Sequence, residues 1–243
     1  MQARSVLVSG GGTGIGRAVA AAFAARGDEV TILGRRADVL RTTAKEIHGR
    51  PPVRTVAVDL TDPAAVEEAV GLLPERVDVL VNNAGRRGSA PDGEGLRAVA
   101  DRWRRDLNDI VLPAVLLTEA VEPRLARPGG RVVTISSIAA LRGNGAYGAG
   151  KAALHAWNLD LAQRLGKDGV TANVVVPGYV TGTEFFGTSP DAAELERRTE
   201  QTLVKRVGRP EDIAAAVVFL ASPEAGCISA EFLNCSGGTV LGR

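Results

Sequence analysis

The amino-acid sequence predicts a doubly wound α/β fold, a single domain whose parallel sheet is covered by helices on both faces. Three observations carry this reading. Short β-branched runs alternate with helix-length stretches rich in Ala, Leu, Arg and Glu. The runs are apolar throughout rather than alternating with polar residues, as befits strands buried on both faces. A glycine-rich turn joins the first such run to the first helical stretch.

The elements follow in order. Residues 6–8 read as a buried strand and residues 14–26 as a helix, with Ala18, Val19, Ala22 and Phe23 on one face. A second strand at 30–33 precedes a helix at 38–48. After a third strand at 53–58, Pro63 opens a helix behind Thr61 or Asp62 as its cap. A fourth strand at 77–81 leads to a long helix at 100–125, and a fifth strand at 131–135 leads to a helix at 147–166. A sixth strand at 170–176 is followed by helices at 191–204 and 210–221, and residues 231–233 close the sheet. The stretches 86–95 and 181–190 are loop-like and follow strand ends, where ligands bind in such sheets.

Composition narrows the function classes. A chain of 243 residues without a composition break, repeat or charged tail is read as one domain over residues 1–243. A net charge of +1 excludes a broad electrostatic grip on nucleic acid or on an anionic membrane. The 29 glycines, against 2 Trp, 2 Tyr and 5 Phe, point to many tight turns and a core of Ala, Val and Leu. Cys227 and Cys235 alone make no zinc pattern, so no metal is expected; they read as small buried hydrophobes in a reducing compartment, with a disulfide the lesser alternative. The N-terminus has no secretory pattern and no apolar run is long enough to span a bilayer, so the expected location is the cytoplasm.

The turn Ser9-Gly10-Gly11-Gly12-Thr13-Gly14-Ile15-Gly16 lies between the first strand and the first helix. Glycine lets backbone approach a pyrophosphate, and the helix N-terminus offers free N–H groups and partial positive charge. A plain strand–helix turn does not need so many glycines, so the turn is read as a nucleotide site.

Its spacing, Gly-x-x-x-Gly-x-Gly at Gly10, Gly14 and Gly16, is joined by Asn82-Asn83-Ala84-Gly85 after strand four and Tyr147-Gly148-Ala149-Gly150-Lys151 in the helix at 147–166. Asp59-Leu60, Ser136-Ser137, Pro177-Gly178, the run from Arg209 through Pro210, Glu211, Asp212 and Ile213 to Ala214, and Gly237-Gly238 follow in order. Together they resemble the short-chain dehydrogenase/reductase family over nearly the whole chain, in particular its 3-oxoacyl-carrier-protein reductase-like members. The resemblance implies a Rossmann fold, a nicotinamide cofactor, a small-molecule carbonyl or alcohol substrate, and a homotetramer or homodimer built partly from the long helices, where Val115, Leu116 and Leu117 extend the apolar surface beyond one face.

An acidic residue ending strand two would accept from the adenosine ribose hydroxyls and select NAD. Here that position reads Gly34-Arg35-Arg36. A guanidinium suits a 2′-phosphate, so NADP(H) is expected, with Arg35 the main contact and Arg36 either a second contact or a solvated charge. The resemblance adds Gly10, Gly12, Thr13, Gly14, Ile15 and Gly16 at the phosphates and Asp59 and Leu60 at the adenine. It places Asn83, Ala84 and Gly85 on the adenine–ribose side, although an Asn at position 83 can equally serve only to tie strands together. Pro177, Gly178, Val180 and Thr183 fall on the nicotinamide side, with Thr181 the alternative to Thr183 at the carboxamide.

Hydride transfer to a carbonyl needs a proton donor and a group that holds the oxygen. A lysine four residues after a tyrosine shares its helical face and favours the phenolate, and Tyr147 and Lys151 have that spacing. The resemblance makes Tyr147 the general acid, has Lys151 also bind the nicotinamide ribose, and makes Ser137 the substrate-oxygen donor, with Ser136 the alternative. Ser137 precedes Tyr147 by only ten residues, a shortened loop for the family. The family commonly has an Asn in the long helix that holds a water in a proton relay from the lysine. Anchoring on Trp103 and on Leu116-Leu117-Thr118 puts Ile110 there. Asn108, two residues earlier, is rotated by about 200° and points away. The relay is therefore expected to be broken or rerouted. That departure opens two alternatives to ketone reduction: changed chemistry (an isomerase, cyclase or dehydratase) or a non-catalytic NADP-binding protein.

Tyr179, Phe185 and Phe186 follow strand six, at or just before a segment around 181–205 that the resemblance makes a substrate lid, as an apolar wall or as a plug between loop and body. Arg86 and Arg87 are candidates for an acidic substrate group or are solvated. His155 and Trp157 are expected in an interface or the core, and His48 at a helix end.

Overall fold

The buried apolar runs pair into one parallel seven-stranded sheet in a computed structural model that describes residues 3–86, 93–183 and 191–241. The strands are β1 (Ser5–Ser9), β2 (Glu29–Gly34), β3 (Arg54–Ala57), β4 (Val79–Asn82), β5 (Arg131–Ile135), β6 (Thr171–Pro177) and β7 (Phe232–Cys235). Helices α1 (Gly14–Ala24), α2 (Ala37–Glu46), α3 (Pro63–Val70), α4 (Gly95–Val121), α5 (Ala139–Arg142), α6 (Gly145–Gly166), α7 (Ala192–Glu200) and α8 (Pro210–Leu220) connect them. The sheet order is β3-β2-β1-β4-β5-β6-β7. The order reverses between β1 and β4, and ligands bind doubly wound sheets in the crevice at that point, outside the carboxyl ends of the strands.

Side chains alternate across the strands and split the core into two layers. Val6, Val8, Ile32, Val81, Val133 and Val175 face one way and pack with Val19 and Phe23 of α1 and Ile213 and Val217 of α8. Leu7, Leu33, Leu80 and Val132 face the other way and pack with Leu117 and Val121 of α4 and Leu161 and Leu165 of α6. The central strands β4, β5 and β6 are buried along their whole length because both faces are covered, whereas the edge strand β3 buries only Val56.

Most expected elements stand within a few residues of their observed bounds. Asp62 rather than Thr61 caps α3, accepting from Ala64 N at 3.0 Å, while Thr61 turns back onto Asp59. Strand β4 starts at Val79 because Val77 makes only an isolated bridge to Leu125. Helix α4 begins five residues before position 100, at Gly95, and α7 ends at Glu200. The short α5 fills the trimmed loop before Tyr147, and Gly143 ends it with φ +78°. Cys235 is partly buried, but Cys227 is exposed, against the expectation of two buried thiols; both are free. Leu117 is core rather than an interface residue. Among the described residues no helix is long and apolar enough to cross a membrane.

Candidate active site

A cleft of about 450 Å³ opens at the switch point, within the size range of cofactor sites. One wall is the glycine-rich turn. Gly10 and Gly14 take left-handed φ values of +64° and +51°, which residues with a Cβ rarely adopt. Thr13 caps α1 without a side-chain hydrogen bond, and the first turn holds no acidic residue. The positive end of the helix is thus left to an anionic group. Gly16 has a different duty. A Cβ there would lie 2.2 Å from the Gly10 oxygen and 2.5 Å from Asn83 Nδ2, so Gly16 lets the helix pack beneath the turn and does not line the cleft.

Asn83 holds that turn in place. Its Nδ2 donates to the Ser9 and Gly10 carbonyls at 3.0 and 3.2 Å, and the Asn83 and Ala84 N–H groups donate to Ser9 Oγ at 2.9 and 3.0 Å. The Asn83 amide therefore ties the loop after β4 to the loop after β1. Asn83, Ala84 and Gly85 all line the cleft.

At the far end, Arg35 and Arg36 follow β2, exposed and beside the cleft. Asp59 faces them after β3. Its carboxylate accepts from Thr61 N at 3.0 Å and Thr61 Oγ1 at 2.7 Å. Those bonds, with smaller contributions from Arg35 and Arg86, hold Asp59 below the usual carboxylate range. Leu60 is buried next to it.

The other end carries the proton chemistry. Tyr147 and Lys151 share a face of α6, both buried and both lining the cleft. Lys151 Nζ donates to the Ile135 carbonyl at 2.9 Å. The two serines after β5 separate clearly. Ser136 Oγ donates to the Lys151 carbonyl at 3.2 Å and lies 2.8 Å from His155 Nε2. Ser136 Oγ is therefore held between the Lys151 carbonyl and the His155 ring. Ser137 Oγ instead accepts from Ala139 N at 3.2 Å, which leaves its O–H able to donate into the cleft. Pro177, Gly178, Val180 and Thr183 complete the wall. A Cβ at Gly178 would come within 2.9 Å of Ser236 Cα, and one at Gly14 within 3.2 Å of the Thr183 side chain. Thr181 Oγ1 turns to the Gly208 carbonyl at 3.3 Å, leaving Thr183 as the threonine on the cleft.

Burial without a counter-charge lowers the Lys151 pKa from 10.5 to about 8. Below that pH the ammonium costs the fold its full desolvation penalty. The cost fades as pH rises toward 10.5, because the folded-state amine is already neutral while the unfolded one still holds its proton. Wild-type stability relative to Lys151→Met is expected to rise by about 3 kcal/mol across that window. Urea unfolding of both proteins at the two ends of the window checks it, and parallel stabilities would contradict it.

Ile110 is buried and packs on α6, where a Cβ at Gly150 would lie 3.0 Å from its Cδ1. Asn108 is exposed, as its rotation along the helix requires. Tyr179 departs from expectation: it does not line the cleft, and its ring stacks with the Arg198 guanidinium of α7 at 5.1 Å. Phe185, Phe186 and Arg87 lie outside the described residues. Arg86 is ion-paired with Asp109, Nε to Oδ2 at 2.6 Å. His155 is buried and stacks on Phe232. The cleft lining also holds residues not anticipated, the apolar Val39, Leu40, Val58 and Ile135 together with Thr61, Asp109 and Pro113. For Pro113 a signal was present, a proline in the middle of a helical run.

The cradle fits a dinucleotide: glycines where a Cβ would collide, an open helix N-terminus, and cations at the end of β2. Comparisons with known proteins agree. A family model described as enoyl-(acyl carrier protein) reductase matches residues 10–240. The 3-oxoacyl-[acyl-carrier-protein] reductase of Vibrio harveyi is 30% identical over 250 residues, covering 99% of this chain and 99% of that protein. An oxidoreductase of the short chain dehydrogenase/reductase family from Burkholderia thailandensis has a TM-score of 0.84 at 32% identity, covering 100% of this chain and 95% of that one. A short chain dehydrogenase from Burkholderia cenocepacia J2315, solved in complex with NADP, has a TM-score of 0.85 at 33% identity and 98% coverage of both chains.

Proposed function

The chain belongs to the short-chain dehydrogenase/reductase family of oxidoreductases, and on that premise we propose that it is an NADP(H)-dependent enzyme that reduces a ketone to a secondary alcohol, or runs the reverse reaction. The observation that carries the proposal is a single cleft with Tyr147, Lys151 and Ser137 at one end and Arg35 and Arg36, in place of a carboxylate, at the other.

Each residue then has a part. Arg35 and Arg36 hold the 2′-phosphate through charge-assisted bonds. The N–H groups from Gly10 to Ile15 hold the pyrophosphate, and Asp59, Leu60 and the loop of Asn83, Ala84 and Gly85 enclose the adenosine. Lys151 binds the nicotinamide ribose, and Thr183 reaches the carboxamide. When bound, the nicotinamide supplies the hydride. Ser137 donates its O–H to the substrate oxygen and holds it next to Tyr147. Tyr147 gives its phenolic proton to the oxygen as negative charge builds there, and the Lys151 ammonium stabilises the phenolate that remains. Mixing the protein, NADPH and a panel of ketones and following nicotinamide absorbance tests the assignment; tight NADPH binding without turnover of any ketone would count against it. A second reading, a family member with changed chemistry, is favoured by one observation, the apolar Ile110 packed against Gly150 beside the lysine.

The working unit is proposed to be a homotetramer. Leu96, Val99, Trp103 and Leu107 form an exposed apolar stripe along α4, with Leu159 exposed on α6 and Phe219 on α8. Replacing Trp103 and Leu107 together by Glu is expected to lower the particle mass at least twofold in light scattering. An unchanged mass would exclude this stripe as the interface.

A further inference from the structure

A buried histidine stands behind the cleft lysine without lining the cleft itself. His155 follows Lys151 by one helical turn on the same face of α6. Its ring is fixed on two sides. It stacks on Phe232 of β7, with centroids 4.5 Å apart and planes 28° from parallel. Its Nε2 lies 2.8 Å from Ser136 Oγ. Burial, and after it the Lys151 charge, pushes the imidazole pKa below its ordinary value, so the ring is neutral. A buried polar ring costs free energy unless it is hydrogen-bonded, and a site that needed only volume would take Leu or Phe.

The Ser136 contact closes a clasp between the end of β5 and α6. Lys151 Nζ donates to the Ile135 carbonyl at 2.9 Å, and the Lys151 carbonyl accepts from Ser136 Oγ at 3.2 Å. Residues 135 and 136 are thus tied to both ends of one lysine. The Ser136 N–H stays with the sheet and donates to the Val175 carbonyl at 2.9 Å. Ser137, to which the substrate oxygen is assigned, is the next residue in the chain. A serine hydroxyl has three staggered positions. With the Lys151 carbonyl on one side and the His155 ring on the other, one of them is chosen. Without the ring nitrogen only the longer bond to Lys151 remains, and Ser136 is free to turn into the cleft that it lines.

We propose that His155 is a positioning residue, which pins the Ser136 hydroxyl against the Lys151 carbonyl and so fixes the end of β5, with Ser137, relative to Tyr147 and Lys151. Ser136 is thereby kept from the substrate oxygen, and Ser137 alone serves it. Phe232 supports the far side of the ring, so β7 backs the site from behind. The effect on rate rests on the reductase reading, whereas the effect on the lysine does not.

His155→Phe keeps the ring volume and the stack on Phe232 but removes the nitrogen, whereas His155→Gln returns a polar group at similar reach. Ser136→Ala removes the other partner. In His155→Phe and in Ser136→Ala, kcat for ketone reduction is expected to fall about tenfold, near the upper worth of one hydrogen bond, with NADPH affinity near that of the wild type. His155→Gln recovers most of the loss. Combining His155→Phe with Ser136→Ala adds no further loss, because both break the same clasp. In the cofactor-free protein, NMR of lysine labelled at Cε follows Lys151, one of four lysines. Its titration midpoint rises by about one pH unit in His155→Phe and Ser136→Ala, as water reaches the loosened ammonium, and stays in place in His155→Gln. Wild-type kcat in His155→Phe, a glutamine variant as slow as the phenylalanine one, or losses that multiply in the double variant would overturn the proposal. If the wild type reduces no ketone, the reductase reading fails and the lysine titration alone decides, an unmoved midpoint in His155→Phe and Ser136→Ala overturning the clasp.

Discussion

Tyr147→Phe is expected to lower kcat for NADPH-dependent ketone reduction roughly 10²–10⁴-fold, the range for loss of a positioned general acid. NADPH affinity should stay near that of the wild type. The substitution removes one oxygen from a ring held by Ile110, Ala114, Ala139 and Leu154, so the ring itself keeps its packing. Lys151 also stays hydrogen-bonded to Ile135 and available to the ribose. A loss confined to kcat therefore separates proton donation from binding. Steady-state kinetics and NADPH fluorescence titration on the same preparation check both halves. Retained turnover would remove Tyr147 from the chemistry.

Arg35→Glu is expected to weaken NADPH binding by roughly 10–100-fold, as a charge-assisted pair worth about 1.5–3 kcal/mol is lost. It should also improve NADH, because a carboxylate at the end of β2 can accept from the ribose hydroxyls. The preference between the two cofactors is thus expected to narrow or invert. Arg35→Ala should lose NADPH affinity without the gain in NADH. The ratio of kcat/KM for the two cofactors reports this, and an unchanged ratio would show that neither charge nor carboxylate at this position is read.

The central strands were legible because burial on both faces leaves short apolar runs bounded by turn residues. The glycine turn was legible because two of its glycines take φ values that other residues avoid. Tyr147 and Lys151 were legible because helical spacing alone puts them on one face. What was not legible depends on contacts across the chain. The packing role of Gly16 needs the Gly10 carbonyl and Asn83 to lie directly above it. The distinction between Ser136 and Ser137 needs His155, nineteen residues beyond the first serine, to occupy its hydroxyl. Tyr179 stacks on Arg198 of α7 instead of lining the cleft, a contact between residues nineteen apart that the expected helix alone does not show. The Arg86–Asp109 pair joins residues twenty-three apart, one just after β4 and one in α4. The sequence marked a long helix over 100–125 with apolar surface beyond one face, but only the folded chain shows that Leu96, Val99, Trp103 and Leu107 are left uncovered while Leu117 is not.

The claim that joins all of this is that the cleft transfers hydride from an NADP-type cofactor to a carbonyl carbon. Incubating the protein with a ketone and with NADPH deuterated at nicotinamide C4, in separate reactions for each C4 face, measures that transfer directly. One face is expected to deliver its deuterium to the carbinol carbon of the product alcohol. Bound NADPH with no deuterium in any product from either face would contradict it.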